Sequence, residues 1–303
     1  MISTYKYCGV TWVDLECPTQ DELLHVISEY QVPENLLQQL ITETLLSKVD
    51  SYDDMIYLVL HFPRIYNERR MSDLEIDFIL GKDFLITVHY EFSNAIYDFA
   101  RNLEINVMLG KEIKNVHAGH LFHSIIIESY KQAGNKLDDI YQMLEEVKDK
   151  IFNGHEDKMV NDISHISRKI LDYKQAMRFH DGILLSFQKA STKLYSEDYS
   201  SYIESLRVEH HKLVAILDGH REMLLDLRET NDSLLSAKTN KTMRILTIMS
   251  FTTFPLTLFA TMLAMITDVQ VIKTFEQFIY ITSGLILVGL LIILHFKKKR
   301  WLL

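Results

Sequence analysis

Cysteine, proline and glycine are all scarce in this chain of 303 residues, and each scarcity excludes something. Two cysteines, Cys8 and Cys17, provide no disulfide framework and no paired-cysteine metal motif, so both are expected as reduced thiols. With only four prolines, the 191 residues between Pro63 and Pro255 are free to form long helices. The ten glycines are scattered. They make no phosphate-cradling loop of the kind ATP-driven pumping needs, and no nucleophile elbow, so no enzyme is expected. The opening MISTYKYCGV has no charged stretch ahead of an apolar run, so no cleaved signal peptide is expected. Acidic residues outnumber basic ones 41 to 32, for a net charge of −9, so no nucleic-acid partner is expected. There is no internal repeat and no low-complexity segment.

What the chain does have is two uninterrupted apolar runs close to its C-terminus. Ile245–Ile266 has 22 residues and no charge, and Phe278–Phe296 has 19, with His295 its only titratable group. At 1.5 Å per residue the first run spans about 33 Å as a helix, enough to cross a bilayer. Lys238, Lys241 and Arg244 precede the first run, and Lys297, Lys298, Lys299 and Arg300 follow the second. The connecting loop holds one lysine, Lys273, against Asp268 and Glu276. Positive residues mark the cytoplasmic side, so both termini are expected in the cytoplasm of a multi-pass cell-membrane (inner-membrane) protein.

The part before the runs divides by composition. Tyr7–Leu15, Met55–Phe62, Glu75–Leu80 and Phe84–His89 read as strands, the last two joined by the hairpin signal Gly81-Lys82-Asp83. Helices are predicted at Gln20–Tyr30 and Pro33–Leu46, with Pro33 in a first-turn position. From about Leu121 the pattern is helical. Leu137, Ile140, Tyr141, Leu144, Val147 and Ile151 recur at steps of three and four. A second helix is predicted over Lys158–Lys193, a break at Ser196–Ser200, and one long helix over Ser201–Ile266, of about 100 Å. The expected fold is therefore an α+β domain over residues 1–120 and a helical hairpin over 121–200. A stalk follows at 201–244, then two spans at 245–266 and 278–296, an outer loop at 267–277 and a basic tail at 297–303.

Two spans per chain cannot enclose a pore, so a pathway requires several copies around an axis. Steps of seven back from the outer loop give Asp268, Thr261, Phe254, Thr247 and Asn240. The interleaved positions are Ala264, Thr257, Ser250 and Met243. These nine fall on one helical stripe, and six are polar. Polar groups within a bilayer are costly unless they meet protein or water. Back-bonding of Thr and Ser to their own helix is the alternative for any one hydroxyl.

These same stretches carry a resemblance. Asn240-Lys-Thr-Met-Arg-Ile-Leu-Thr-Ile-Met, Phe254-Pro-Leu-Thr-Leu and Phe296-Lys-Lys-Lys-Arg-Trp-Leu resemble the C-terminal region of the CorA family of divalent-cation channels. Trp12-Val-Asp-Leu and Phe78-Ile-Leu-Gly-Lys-Asp-Phe-Leu-Ile-Thr-Val-His resemble landmarks of that family's N-terminal αβα domain. The resemblance implies a funnel-shaped homopentamer in the lipid bilayer that passes Mg2+, sometimes Co2+ or Ni2+, with a related branch moving Zn2+. It implies no bound cofactor beyond transported or regulatory Mg2+. It makes Asn240 a polar ring near the inner end of the pore, Met243, Leu246 and Phe254 hydrophobic gate positions, Thr247 and Thr257 hydroxyl rings, and Glu229 an acidic position at the inner mouth.

One departure matters. The family signature Gly-Met-Asn at the outer end of the first span falls on Ala264, Met265 and Ile266. Mg2+ gives up its waters reluctantly, so a filter needs acceptors for that water shell, and Ile266 offers none. Thr267 or Asp268 is the nearest substitute. A non-conducting scaffold or regulator and a channel for another cation therefore stand beside the Mg2+ channel. The family's regulatory carboxylate on the stalk falls at Ser205, between Glu204 and Glu209, which leaves no sensor site assigned. His117, His120 and His123 are spaced for a transition metal, but Gly119 lies among them, and a structural role is expected. The same holds for His210, His211 and His220. Replacing Asn240 or Asp268 with Leu is expected to lower divalent-cation flux in reconstituted vesicles. Unchanged flux in both variants would remove the stripe as the pathway.

Overall fold

The structure is a computed structural model, and it describes residues 1–44, 46–67, 70–109, 116–265 and 275–298. Two compact units make up the chain, Met1–Arg228 and Glu229–Leu303.

Among the described residues of the first unit, six strands form one mixed sheet. They are β1 (Ile2–Tyr7), β2 (Val10–Glu16), β3 (Lys48–Ser51), β4 (Ile56–Asn67), β5 (Arg70–Leu80) and β6 (Phe84–His89), in the order β1-β2-β6-β5-β4-β3. Only β2 and β6 run parallel, and the other neighbours are antiparallel. Alternation along each strand builds the two faces. Ile56, Leu58, Leu60 and Phe62 of β4 face one core, while Tyr57 and Val59 face the other. Helix α1 (Gln20–Glu29) and the single turn α2 (Leu37–Leu40) cover the second face with Leu23, Val26, Ile27 and Leu40. Helix α1 starts at Thr19, whose side chain accepts from Glu22 N while Glu22 Oε2 accepts from Thr19 N at 2.8 Å, a reciprocal cap. Helices α3 (Asn94–Met108) and α4 (Ala118–Phe152) cover the first face, so the domain has the expected three α/β/α layers. Trp12 anchors that face. Its indole N–H donates to Thr87 Oγ1 at 3.0 Å, and its ring lies between Tyr5 and Phe99.

Helices α5 (Met159–Met177), α6 (His180–Ser191) and the N-terminal part of α7 (Ser200–Met265) pack on α4 and extend the same core. On α7 the apolar positions Leu206, Leu213, Leu217, Leu224 and Leu227 are buried. The stripe of α4 read from the sequence is buried at Leu137, Ile140, Leu144, Val147 and Ile151, while Tyr141 is exposed and stacks on His220.

Three local expectations are corrected. Pro33–Leu46 is not one helix, because only Glu34–Leu36 and Leu37–Leu40 are helical. Glu75, buried on β5, draws the following segment out of helix by accepting from Thr44 N at 2.6 Å and Thr44 Oγ1 at 3.2 Å. Lys158–Lys193 is two helices broken at Arg178–Phe179, where the next residue, His180, is held by bonds to other elements. Strands β1 and β3 and helix α3 were not anticipated, and α4 begins at Ala118 rather than near Leu121. The long helix is observed: α7 has 66 residues and runs through Pro255. Cys8 and Cys17 are free thiols.

Gly119 marks the tightest approach in this unit. The fully buried Tyr199 donates to the Gly119 carbonyl at 2.8 Å, and a Cβ on Gly119 would lie 2.6 Å from the Tyr199 ring. Gly119→Ala is therefore expected to destabilise the soluble unit by about 1–3 kcal/mol, the usual cost of forcing an extra methyl into a packed site. Gly134→Ala, whose Cβ would meet Leu213 at an ordinary 3.6 Å, is expected to be neutral or to stabilise by up to about 1 kcal/mol through helix propensity. Thermal melting of both variants checks the pair.

Candidate functional site

The candidate pathway lies on the second half of α7. A helix turns about 100° per residue, which puts Asn240, Met243, Thr247, Ser250, Phe254, Thr257 and Thr261 within an arc of about 100°. All seven are exposed in the single chain, Phe254 at 74%. Leu246, also exposed, sits at the edge of this arc, and exposed Glu229 falls on its continuation three turns below Asn240. Ala264 and Met265 lie on the last described turn of α7. Ile266, Thr267 and Asp268 lie outside the described residues.

Each hydroxyl of the stripe donates its proton to its own helix. Thr247 bonds Met243 O at 2.8 Å, Ser250 bonds Leu246 O at 2.9 Å, Thr257 bonds Thr253 O at 2.9 Å and Thr261 bonds Leu258 O at 2.9 Å. Back-bonding was the alternative to a pathway, and the geometry shows that the two are compatible. With its proton committed, each oxygen presents only lone pairs outward, as a row of acceptors suits the hydrogens of a cation's water shell. From Asn240 to Thr261 the arc has no charged side chain.

The opposite side of α7 is different. Ile248 and Thr252 are buried, and Leu256 lies on the same side one turn further on. There α7 meets α8 (Phe275–Lys298): Gly289 is buried, and a Cβ on it would come 3.0 Å from Leu256 Cδ1. This packed face was not legible beforehand. Gly289 was its one sequence signal, since small residues let membrane helices approach closely. Exposed Lys238 and Lys241 also project from this side, turned away from the stripe, whereas exposed Arg244 lies one turn above Asn240, at the border between the two sides.

His117, His120 and His123 sit in an aromatic cluster with Tyr195, Tyr199 and Tyr202. His123 Nε2 lies 2.8 Å from Ser205 Oγ, the stalk position where a regulatory carboxylate was sought. Burial pushes His117 down to about 4, and His120 and His123 below the ordinary histidine value, which leaves them neutral. Among the described residues no group of three or more His, Cys, Asp or Glu side chains is placed to hold a metal ion.

Among the described residues one helix, over Glu197–Met262, is long and apolar enough to cross a membrane. The second apolar run forms α8, a helix of 24 residues. An α/β domain whose last core helix runs on into such a span defines a membrane protein with a large soluble part. The chain belongs to the CorA family: the family described as CorA-like Mg2+ transporter protein matches residues 8–298. It is 18% identical over 298 residues to the cobalt/magnesium transport protein CorA of Thermotoga maritima, covering 96% of this chain and 83% of that one. To the magnesium transport protein CorA of Wolinella succinogenes it is 23% identical over 307 residues, covering 97% and 92%. The complete structure of the CorA magnesium transporter from Methanocaldococcus jannaschii superimposes with a TM-score of 0.82 at 17% identity, covering 97% of this chain and 92% of that one. The cytoplasmic domain of ZntB from Vibrio parahaemolyticus gives 0.60 at 15% identity, covering 77% and 89%. These structural likenesses show the fold. The family is one of metal-ion transport proteins of membranes rather than of enzymes.

The contact of α7 with α8 yields a test. Gly289→Val is expected to cost about 1–3 kcal/mol by pressing on Leu256, whereas Gly284→Val, with open space at its Cβ, is expected to cost less than half of that. Thermal melting of the detergent-solubilised protein compares them.

Proposed function

We propose that this protein is a CorA-like channel that lets a divalent cation, Mg2+, flow passively into the cell through a pore made by several copies of α7. The observation that carries the proposal is the neutral stripe from Asn240 to Thr261, exposed in the single chain and kept off the face that meets α8. Because one chain offers one stripe, closure needs a ring of identical subunits, which this reading takes to be five, as the family resemblance implies. In this reading α7 and α8 both cross the cell membrane, with the termini in the cytoplasm and residues 267–277 outside. Met243, Leu246 and Phe254 close the narrow parts by excluding water, and the hydroxyls of Thr247, Ser250, Thr257 and Thr261 accept hydrogen bonds from the waters the ion carries. A membrane potential negative inside supplies about 4.6 kcal/mol per 100 mV for a double charge, so no chemical energy source is required.

A second reading rests on one specific observation. The Gly and Asn of the family signature are Ala264 and Ile266 here, so the outer acceptors for hydrated Mg2+ are missing. That favours either a different cation, such as Zn2+, Co2+ or Ni2+, or a protein that assembles without conducting.

Reconstitution in liposomes with an internal Mg2+ dye, under a potential negative inside, separates these readings. Wild-type flux is the expected result, with Asp268 or Thr267 providing the outer acceptors. If the wild type is silent and the variant combining Ala264→Gly with Ile266→Asn conducts at least about tenfold faster, a barrier difference of ~1.4 kcal/mol, the pore is intact and its mouth serves another ion or another role. If neither conducts Mg2+ or competing metals, the channel reading falls.

A further inference from the structure

Five elements of the soluble unit meet around two histidines that ion conduction does not use. His180 opens α6 and is fully buried. Its Nε2 lies 2.8 Å from the His61 carbonyl oxygen on β4, so Nε2 carries the proton and donates. Nδ1, 2.9 Å from Tyr130 Oη on α4, then accepts. The ring is fully satisfied as neutral imidazole, and a second proton on Nδ1 would displace the hydrogen that Tyr130 donates. It stacks on His210 of α7, with ring centres 5.6 Å apart and planes within 19°. His210 is also buried. Its Nε2 donates to Met177 O at the end of α5 at 3.0 Å, and its Nδ1 has no hydrogen-bond partner among the described residues.

The charged and titratable groups around the pair come from every element packed on it. From α6 comes Asp181, from α7 Arg207 and His211, from α4 Tyr130 and from β4 His61, with Tyr173 of α5 near Tyr130. Asp181 is already engaged by Arg207 Nε at 2.9 Å and His211 Nε2 at 3.1 Å. His61 leans on Glu75 of β5 at 3.3 Å, so its protonated form adds positive charge near His180. Burial and the neighbouring His210 hold His180 down at about 3, and burial is the largest cause lowering His210. The His211 side chain is 58% exposed, so water screens its contact with Asp181.

We propose that the stacked His180–His210 pair is an acid-sensitive latch, which when neutral fastens α6 and the end of α5 to the long helix α7 and on protonation releases α6 from it. Two groups that stay neutral when docked favour docking fully above about pH 6.5, the value of a free histidine, and lose that contribution as the pH falls toward their docked values. Each histidine exposed by release takes up a proton, so the released form gains up to about tenfold per pH unit per histidine, and up to about a hundredfold for the pair. Because α7 is the helix that continues into the apolar span, the latch puts the soluble unit's hold on that helix under proton control. The inference stands whether or not the protein conducts Mg2+.

Hydrogen–deuterium exchange on the full-length protein in lipid nanodiscs tests it, at pH 7.5, 6.5 and 5.5, with intrinsic exchange rates divided out. The expected result is that amides of α6 exchange at least about tenfold faster per pH unit below 6.5, while those of β5 stay unchanged. His180→Gln and His210→Gln keep an N–H donor at the place of Nε2 but do not titrate. Each single variant is expected to lose about half of the logarithmic slope, and the double variant nearly all of it. His211→Ala is expected to keep the wild-type slope. A flat wild-type profile between pH 7.5 and 5.5 overturns the latch, as does a double variant as steep as the wild type. Should the double variant fail to fold, the two single slopes decide in the same way.

Discussion

A peptide group carried from water into hydrocarbon must keep its hydrogen bond, and α7 meets that demand by running unbroken from Ser200 to Met265. Much of the architecture depends on that continuity. Below Arg228 the helix is a wall of the soluble core, with leucines at Leu206, Leu213, Leu217, Leu224 and Leu227 packed inward. Above it the same backbone enters a segment in which the side chains are apolar or bear hydroxyls. Those hydroxyls are bonded back onto the helix, so none of them leaves its donor proton unsatisfied where no water is guaranteed. Pro255 removes one backbone donor within this stretch, and the helix carries on through it.

Around its circumference the upper part of α7 separates tasks that would conflict if mixed. One side carries Ile248, Thr252 and Leu256 and meets α8 where Gly289 allows close approach. That side also bears Lys238 and Lys241, whose charges suit the membrane surface and would repel a cation in a narrow path. The remaining side is left to neutral acceptors and bulky apolar groups. Under the proposed channel reading, attraction of the ion would fall to acidic residues flanking the stripe in the sequence, Glu229 and Asp268.

The soluble domain keeps several polar side chains in its interior, and they act locally on the chain. Asp77 is fully buried on β5, with Tyr57 and Tyr90 hydroxyls donating to it at 3.2 and 3.4 Å. Burial and the neighbouring Glu75 push its carboxyl well above the ordinary carboxylate range. Glu75 and His61 in turn hold Thr44 and Ser47, which is why the helix after Pro33 ends so early. His180 does the same for the break between α5 and α6. In each case a buried polar group finds its partner far away in sequence, and the backbone yields to that bond.

Legibility followed the range of the forces. Periodicity and long proline-free stretches are local, so the strands β2, β4, β5 and β6, the helices α1, α4 and α7 and the polar stripe could all be read from spacing alone. The apolar run that became α8 needed only its length and composition. What spacing does not encode is which residue meets which. The edge strands β1 and β3 exist through pairing with β2 and β4, and the helix after Pro33 ends because Glu75 and His61, from distant strands, claim Thr44 and Ser47. The burial of His180 and His210 has no signature in neighbouring residues, and Gly289 alone hints at a close contact without saying that Leu256 makes it. Thus the order of elements, the membrane-spanning character of α7 and the chemistry of its exposed stripe belong to the sequence by itself, because hydrogen-bond geometry and transfer of apolar side chains act over a few residues. The packed face of α7 and the buried histidine pair were decided by tertiary structure, because they depend on contacts between residues tens of positions apart.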